Sequence, residues 1–171
     1  MSFKYGVSLF SFTNDYGVVM DLEDSMRFIN DIGATGIEIL GEGHVPNYPN
    51  PSTEWIDNWF RLLDKYQLEA TNYGSWIDTR LHKGSTIDAA TGAAMLERDL
   101  KLAARLGFKF VRPKIGVISS DLALDPVWEE SVMRNLQLAH DLDVIICPEV
   151  HAPTPIKHEV VDGYVELIQR T

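Results

Sequence analysis

The sequence contains a single cysteine, Cys147, so no disulfide bond can form within the chain. Disulfides are typical of secreted and periplasmic proteins, whereas a chain without them suits a reducing compartment. The residues that precede the first predicted strand, Met1-Ser2-Phe3-Lys4, lack the charged and then apolar regions of a secretory signal peptide. We therefore expect a cytoplasmic protein.

Basic residues are scarce: the chain has 15 Lys and Arg against 25 Asp and Glu, which gives a formal net charge of −10. Nucleic acids and anionic membranes select basic surfaces, so we expect neither as a partner. Long apolar runs are also missing, and no stretch is long enough to cross a bilayer. The 45% hydrophobic content of the 171 residues is sufficient to fill the core of one domain over residues 1–171. The negative charge does not argue against a neutral ligand such as a sugar.

A regular alternation of strand and helix patterns runs through the chain. Short segments rich in β-branched and aromatic residues predict five strands, at residues 5–10, 36–40, 69–73, 110–114 and 144–151. A helical pattern follows each strand; the fourth is predicted from Asp125 through Ala139 and the last at residues 156–170. Residues 41–51 and 74–83 are predicted to be irregular loops. Alternating strands and helices predict a parallel sheet with right-handed crossovers.

The first two helices carry clear local signals. Asp21 is placed to cap the first helix, with Asp24 at its third position, and Gly33 ends it. In the second helix Trp55 and Trp59 recur at helical spacing, which predicts that they belong to the core and are not platforms for a sugar.

Two architectures fit this order: a doubly wound sheet of five units, or the first five units of an eight-unit barrel, which needs about 250 residues. The loop after the first strand, residues 11–15, has no glycine-rich phosphate cradle, and Glu38 and Arg112 lie inside strands. Both faces of a doubly wound sheet meet apolar helices, whereas charges inside a barrel can pair with each other. These points favour the barrel; the alternative is that one charge lies at a strand end in solvent.

The segment from Val144 to His151 is the best candidate for a functional site. Its apolar residues predict a buried strand, and Glu149 lies at the carboxyl end, where parallel α/β folds place their chemistry. A carboxylate beside the imidazole of His151 suits a divalent metal ion or general base catalysis. The alternative is that Glu149 is a solvated residue that opens a loop.

The loops that follow the other strands supply candidates for substrate binding. They are His44, Trp76, Arg80, His82 and Lys114. Cations and aromatic rings in one pocket suit a polyhydroxylated substrate. Each residue also has a plainer interpretation: the histidines as loop residues without a ligand, Trp76 as packing, and Lys114 as a charge that neutralises Glu38.

Three motifs, Gly36-Ile37-Glu38-Ile39, Arg112-Pro113-Lys114 and Pro148-Glu149-Val150-His151, resemble the sugar phosphate isomerase/epimerase family of xylose-isomerase-like barrels. The resemblance implies a (β/α)8 TIM barrel of which about the first five units are present. It also implies that Glu149 is one of about four ligands to a divalent ion, most often Mn²⁺, with Mg²⁺, Co²⁺ or Zn²⁺ as alternatives. Glu38 matches a glutamate of the family's second strand. The other ligands of that family lie on strands six to eight, so we expect the missing half of the barrel to be required.

The resemblance implies a metal-dependent sugar isomerase or epimerase, in which a proton leaves the carbon next to a carbonyl and the metal stabilises the enediolate. Glu149 would bind the metal, and His151 would orient the substrate or move the proton. Residues 41–51 and 76–80 also resemble bacterial proteins akin to the α subunit of C-glycoside deglycosidases, which act with a smaller β subunit and would cleave a 3-oxo-glycoside by β-elimination. The chain would then form a homo-oligomer or a hetero-oligomer. A non-catalytic sugar-binding or assembly subunit is the alternative from another class.

Overall fold

The computed structural model of the protein describes residues 3–77, 87–115, 125–150 and 154–171. Strands and helices alternate along these residues. The strands are β1 (Gly6–Ser8), β2 (Gly36–Leu40), β3 (Glu69–Ile77), β4 (Phe110–Ile115) and β5 (Ile145–Ile146). The helices are α1 (Leu22–Asp31), α2 (Gly41–His44), α3 (Thr53–Lys65), α4 (Ala89–Arg105), α5 (Pro126–Met133), α6 (Leu136–Asp141) and α7 (Glu159–Gln169), with a 3-10 helix at Leu9–Phe12.

The five strands form one parallel sheet in the order β1-β2-β3-β4-β5. Every strand therefore pairs with its neighbour in sequence, as in a barrel. A doubly wound sheet would need a point where the strand order reverses. The strand order excludes the doubly wound alternative for the described residues and agrees with the predicted succession of barrel units.

The two faces of the sheet differ in burial. Ile37, Tyr73 and Val111 project toward the helices and are fully buried. The opposite face carries the alternate residues of the same strands, and Phe110 and Ile145, which are paired in the register, are 41% and 47% exposed there. The described helices pack against one face of this sheet, and its other face corresponds to the interior of a barrel.

The predicted helix signals are confirmed where the structure describes them. Asp21 accepts a hydrogen bond from the backbone N–H of Asp24, and the Asp24 side chain bonds back to the backbone of Asp21, which completes a capping box. Gly33 has a φ of 82°, the left-handed conformation that ends a helix without a Cβ clash. Trp59 is fully buried and donates from Nε1 to the carbonyl of Leu106 at 3.0 Å, which confirms its predicted place in the core.

The first half of the chain departs from the predicted boundaries in three places. β1 ends at Ser8, because the Ser8 hydroxyl accepts from the N–H of Phe10 and starts the 3-10 helix. Residues 41–44, predicted to be irregular, form the single turn α2, closed by a bond from the N–H of Val45 to the carbonyl of Gly41. β3 runs on to Ile77, because pairing with β4 continues past Gly74, where the sequence had predicted a loop.

The second half departs in three further places. The predicted fourth helix is divided at Asn135, whose side chain donates to the carbonyls of Ala93 and Ser131. β5 contains two residues, so Glu149 follows the strand instead of ending it. The last helix begins after His158, which caps it by accepting from the N–H of Val160 at 3.2 Å.

In the described ranges, no helix combines the length and the apolar character that crossing a bilayer requires.

The exposed apolar side chains of the uncovered face predict self-association of this 171-residue polypeptide on its own. Phe110→Ser combined with Ile145→Thr should weaken that association about tenfold, because each substitution removes apolar area that association would bury. Val18→Ser is the control: Val18 is 79% exposed but lies in the loop before α1. Size-exclusion chromatography over a concentration series measures the effect. A monodisperse monomer at all concentrations would contradict the prediction.

Candidate functional site

Three side chains, from β2, from β4 and from the segment after β5, meet on the uncovered face of the sheet. Nη2 of Arg112 lies 3.2 Å from Oε1 of Glu38, and Nη1 of the same guanidinium donates to Oε2 of Glu149. The three side chains are between 19% and 22% exposed. We call Glu38, Arg112 and Glu149 the charge cluster. The predicted pairing of Glu38 with Arg112 is confirmed, and it extends to Glu149.

The register of the strands explains how Arg112 reaches across the sheet. Gly74 of β3 is paired with Arg112 on one side and with Leu40 on the other. A Cβ at Gly74 would lie 2.1 Å from Cδ2 of Leu40 and 3.4 Å from Nη2 of Arg112. A side chain at Gly74 would therefore clash with Leu40, while the guanidinium passes over β3 at ordinary contact distance to reach Glu38 on β2. Asn72, paired with Glu38, donates to the second oxygen of its carboxylate.

The charge cluster supplies part of what a divalent ion requires. Carboxylate oxygens are ligands that hard divalent ions prefer, and two carboxylates converge here. Both are also bonded to one guanidinium, so the cluster carries one net negative charge. The described part of the chain holds no group of three His, Cys, Asp or Glu placed to bind one ion. The donor chemistry therefore fits an ion at Glu149 and Glu38, with the other ligands still to be supplied.

Trp76 and Lys114 lie side by side on the same face. They are paired across β3 and β4, and Nζ of Lys114 lies 4.6 Å from the centre of the Trp76 ring, a distance typical of a cation–π contact. Trp76 is 37% exposed. Both residues lie closer to the carboxyl ends of their strands than the charge cluster does. They are therefore positioned at the rim of the site.

His44 is held by backbone groups. It lies in α2, is 6% exposed, and accepts a hydrogen bond at Nδ1 from the N–H of Leu40 at 2.9 Å. The ring of Tyr16 meets the imidazole edge-on, with 5.1 Å between the centroids. Burial lowers the pKa of His44, although the nearby charge of Glu38 opposes the shift. These contacts give His44 a role in fixing α2, and its predicted role in substrate binding stays a prediction.

Three other predicted site residues, Arg80, His82 and His151, lie outside the described residues.

A buried carboxylate that we did not predict lies behind the site. Asp99 of α4 is 1% exposed and accepts hydrogen bonds from the hydroxyls of Tyr48 and Ser75, the latter at 2.6 Å. Nε of Arg98 also lies 3.2 Å from the carboxylate. Burial, followed by the charge of Asp99, raises the pKa of Tyr48. The sequence did carry a signal, because Asp99 falls on the inward face of its helix beside Leu100.

Comparison with known proteins gives matches in both sequence and fold. No family model matches the chain. It is 26% identical over 170 residues to the 3'-dehydrocarminate deglycosidase alpha subunit of Microbacterium sp, an alignment that covers 98% of this chain and 46% of that protein. It is 29% identical over 157 residues to the C-glycoside deglycosidase alpha subunit of Microbacterium trichothecenolyticum, covering 90% of this chain and 39% of that protein. The chain thus spans less than half the length of these curated relatives.

Two solved structures show the same fold. The probable 3-DHS dehydratase AsbF of Bacillus anthracis matches with a TM-score of 0.70 and 19% identity, over 98% of this chain and 60% of that chain. D-psicose 3-epimerase of Clostridium cellulolyticum H10, solved with D-tagatose, matches with a TM-score of 0.70 and 16% identity, again over 98% and 60%.

The fold is that of the xylose-isomerase-like TIM barrels, of which the described strands supply five parallel members. Within that fold, the sequence is similar to the α subunits of C-glycoside deglycosidases. The resemblance predicted from the sequence motifs is confirmed on both counts.

Replacing the cation of the charge cluster should destabilise the protein. Arg112→Met leaves two partly buried carboxylates without their shared partner, and we expect a loss of about 3 kcal/mol in the free energy of unfolding. Glu38→Ala should cost only about 1 kcal/mol, because Arg112 keeps its bond to Glu149. Adding Glu38→Gln to Arg112→Met should recover about half of the larger loss. Urea unfolding measures all three.

Lys109→Met provides a matched control for that series. Lys109 pairs with Asp143 at the surface, where their side chains are 46% and 90% exposed. Its removal should change the free energy of unfolding by less than about 0.5 kcal/mol. A loss for Arg112→Met no larger than that of the control would place the charge cluster in solvent.

The lowered pKa of His44 predicts a pH-dependent stability. The folded protein holds His44 neutral, whereas the unfolded chain takes up a proton near the ordinary pKa of 6.5. Stability is therefore fully present above pH 6.5 and is lost as the pH falls through that value toward the lowered pKa. His44→Asn should flatten this dependence between pH 7 and pH 5. His140→Asn, at a side chain that is 84% exposed, should leave it unchanged. An unchanged slope in His44→Asn would refute the assignment.

Proposed function

We propose that this chain belongs to a metal-dependent enzyme that removes a proton from the carbon next to a sugar carbonyl, as sugar isomerases and epimerases do. The observation that carries the proposal is the convergence of the Glu38 and Glu149 carboxylates on the uncovered face of the sheet, with Glu149 beyond the carboxyl end of β5, the end at which TIM barrels place their active sites. The barrel fold supports it, and so does the acidic surface, which is unsuited to nucleic acid.

Glu149 is the proposed metal ligand, and Mn²⁺ is the proposed ion. A bound divalent ion would supply positive charge to two adjacent sugar oxygens and so favour formation of an enediolate. Arg112 holds the carboxylate of Glu149 in place and bonds to Glu38, so one guanidinium orients both acidic groups. His151, two residues beyond Glu149, is proposed to orient the substrate or to carry the proton that leaves the carbon.

A second candidate function is favoured by the sequence relatives. They are α subunits of deglycosidases that act on C-glycosides or on 3'-dehydrocarminate, as their names state. In that reaction the proton would leave the carbon next to the carbonyl of an oxidised sugar, and the electron pair would expel the aglycone. Both reactions begin with the same proton transfer. This chain would then act as an α subunit beside a smaller β subunit, whereas the first function suits a homo-oligomer. A cytoplasmic location stays a prediction.

The two reactions differ in what happens after the proton leaves. An isomerase or epimerase returns a proton to carbon, so in deuterated water the recovered sugar should carry deuterium there. A deglycosidase releases a free aglycone, which chromatography detects. A non-catalytic sugar-binding or assembly subunit would do neither and would need no bound metal.

The proposal predicts the effect of removing the negative charge of Glu149. Glu149→Gln in the complete polypeptide should lower the affinity for Mn²⁺ by about one to two orders of magnitude, because a ligand is lost while the side-chain shape is kept. Isothermal titration with Mn²⁺ measures the affinity. Glu97→Gln is the control, since Glu97 is an exposed carboxylate paired with Lys101 on the outside of α4. Equal affinities in the two variants would exclude Glu149 as a ligand.

A further inference from the structure

Arg112 divides its guanidinium between two carboxylates. Nη1 donates to Oε2 of Glu149, and Nη2 donates to Oε1 of Glu38 at 3.2 Å. A guanidinium bonds most strongly when two of its N–H groups meet both oxygens of one carboxylate. Arg112 gives neither glutamate that two-bond contact in the structure, so closer pairing with a single carboxylate is an alternative arrangement for it.

The two carboxylates are held to different degrees. Glu38 lies in the middle of β2, and its second oxygen accepts from the side chain of Asn72, its partner in the register. Glu149 lies beyond β5, two residues after Cys147, whose N–H donates to the carbonyl of Val111 at 2.8 Å. The sheet therefore fixes Glu38 through its own strand and through Asn72, whereas Glu149 follows the end of its strand.

A divalent ion at Glu149 would compete directly with Arg112. The guanidinium already bonds to Oε2 of Glu149, and its positive charge would face the ion across one carboxylate. Like charges at such short range repel strongly, so binding of the ion favours departure of the guanidinium from Glu149. Arg112 can leave without becoming an unpaired charge, because it keeps its bond to Glu38. Each of the two carboxylates then has a cation of its own.

We propose that Arg112 is an exchangeable cation, which neutralises Glu149 in the metal-free protein and shifts to Glu38 when a divalent ion binds at Glu149. Glu38 is then a positioning residue that receives the guanidinium and is not a ligand of the ion, and Asn72 holds Glu38 in place for that role. The inference rests on the proposed function, from which it takes the ion at Glu149. It adds a competition within the charge cluster that sets the metal affinity.

Removing Glu38 and Arg112 together tests the exchange. Arg112→Met combined with Glu38→Gln removes one positive and one negative charge, so the net charge is kept while the cation that competes at Glu149 is lost. Isothermal titration of the complete polypeptide should show that the double variant binds Mn²⁺ about threefold to tenfold more tightly than the wild type. Glu38→Gln alone should weaken binding by about the same factor, because Arg112 then has only Glu149 as a partner.

Other roles for Glu38 give different results for the double variant. If Glu38 is a ligand, the double variant lacks that ligand and binds Mn²⁺ more weakly than the wild type. If Glu38 and Arg112 act on the ion only through their charges, the affinity is unchanged. Either result would overturn the inference. Glu130→Gln with Arg134→Met is the matched control: the side chains of that ion pair are 54% and 48% exposed, and their replacement should leave the affinity for Mn²⁺ unchanged.

A second measurement uses the wild-type protein and does not depend on the folding of the double variant. ¹⁵N NMR follows the guanidinium signals of Arg112 while Zn²⁺, a diamagnetic ion, is added. The signals of Arg112 should shift until one ion is bound per chain, and its Nη signals should stay resolved because Glu38 still restricts rotation of the guanidinium. The signals of Arg134 should not change. Signals of Arg112 that stay the same at saturating Zn²⁺ would contradict the exchange.

The outcomes also distinguish this inference from the proposed function. If Mn²⁺ binds and Glu149→Gln weakens that binding, but the double variant gains no affinity, only the inference fails. If the complete polypeptide binds neither Mn²⁺ nor Zn²⁺, the proposed function fails and the inference fails with it.

Discussion

The bond network of Arg112 is the interaction on which the uncovered face of the sheet depends. One guanidinium from β4 bonds to Glu38 of β2 and to Glu149 beyond β5, and it crosses β3 beside Gly74. Each of the three charged groups is only about one-fifth exposed, so removing any one of them from water without a partner would cost free energy. Together they form ion pairs that offset this cost. The register of four strands is thus tied to one side chain, since a slip by one residue would turn Arg112 toward the helices.

This arrangement explains which parts of the fold could be predicted from sequence. Glu38 and Arg112 lie inside strands, and such residues need a strand face that no apolar helix covers. A barrel provides such a face, and the strand order agrees with a barrel. The helix ends at Asp21 and Gly33 were predictable for another reason, because a cap depends on a few adjacent residues and little else.

The errors arose where distant contacts outweigh local preference. Glycine is a common loop signal, yet Gly74 lies inside a strand, where a Cβ would come within 2.1 Å of Cδ2 of Leu40. The single turn of α2 depends on the His44 imidazole accepting from Leu40, a contact that composition does not reveal. Asp99 was overlooked because its donors, Tyr48 and Ser75, come from two other elements that only the folded chain brings together.

Asp99 differs from Glu38 and Glu149 in its hydrogen bonding. The difference indicates which carboxylate has a structural role and which could take part in binding or catalysis. Asp99 is 1% exposed and accepts from two hydroxyls and a guanidinium, so its carboxylate has little capacity for another partner. Glu38 and Glu149 share one cation and remain about one-fifth exposed on a face that no described helix covers. A carboxylate that is still partly exposed has lost less of its hydration than a fully buried one. Binding a further cation therefore costs it less free energy. Asp99 is therefore suited to holding Tyr48 and Ser75 in place, and Glu38 and Glu149 are suited to meeting a ligand or an ion.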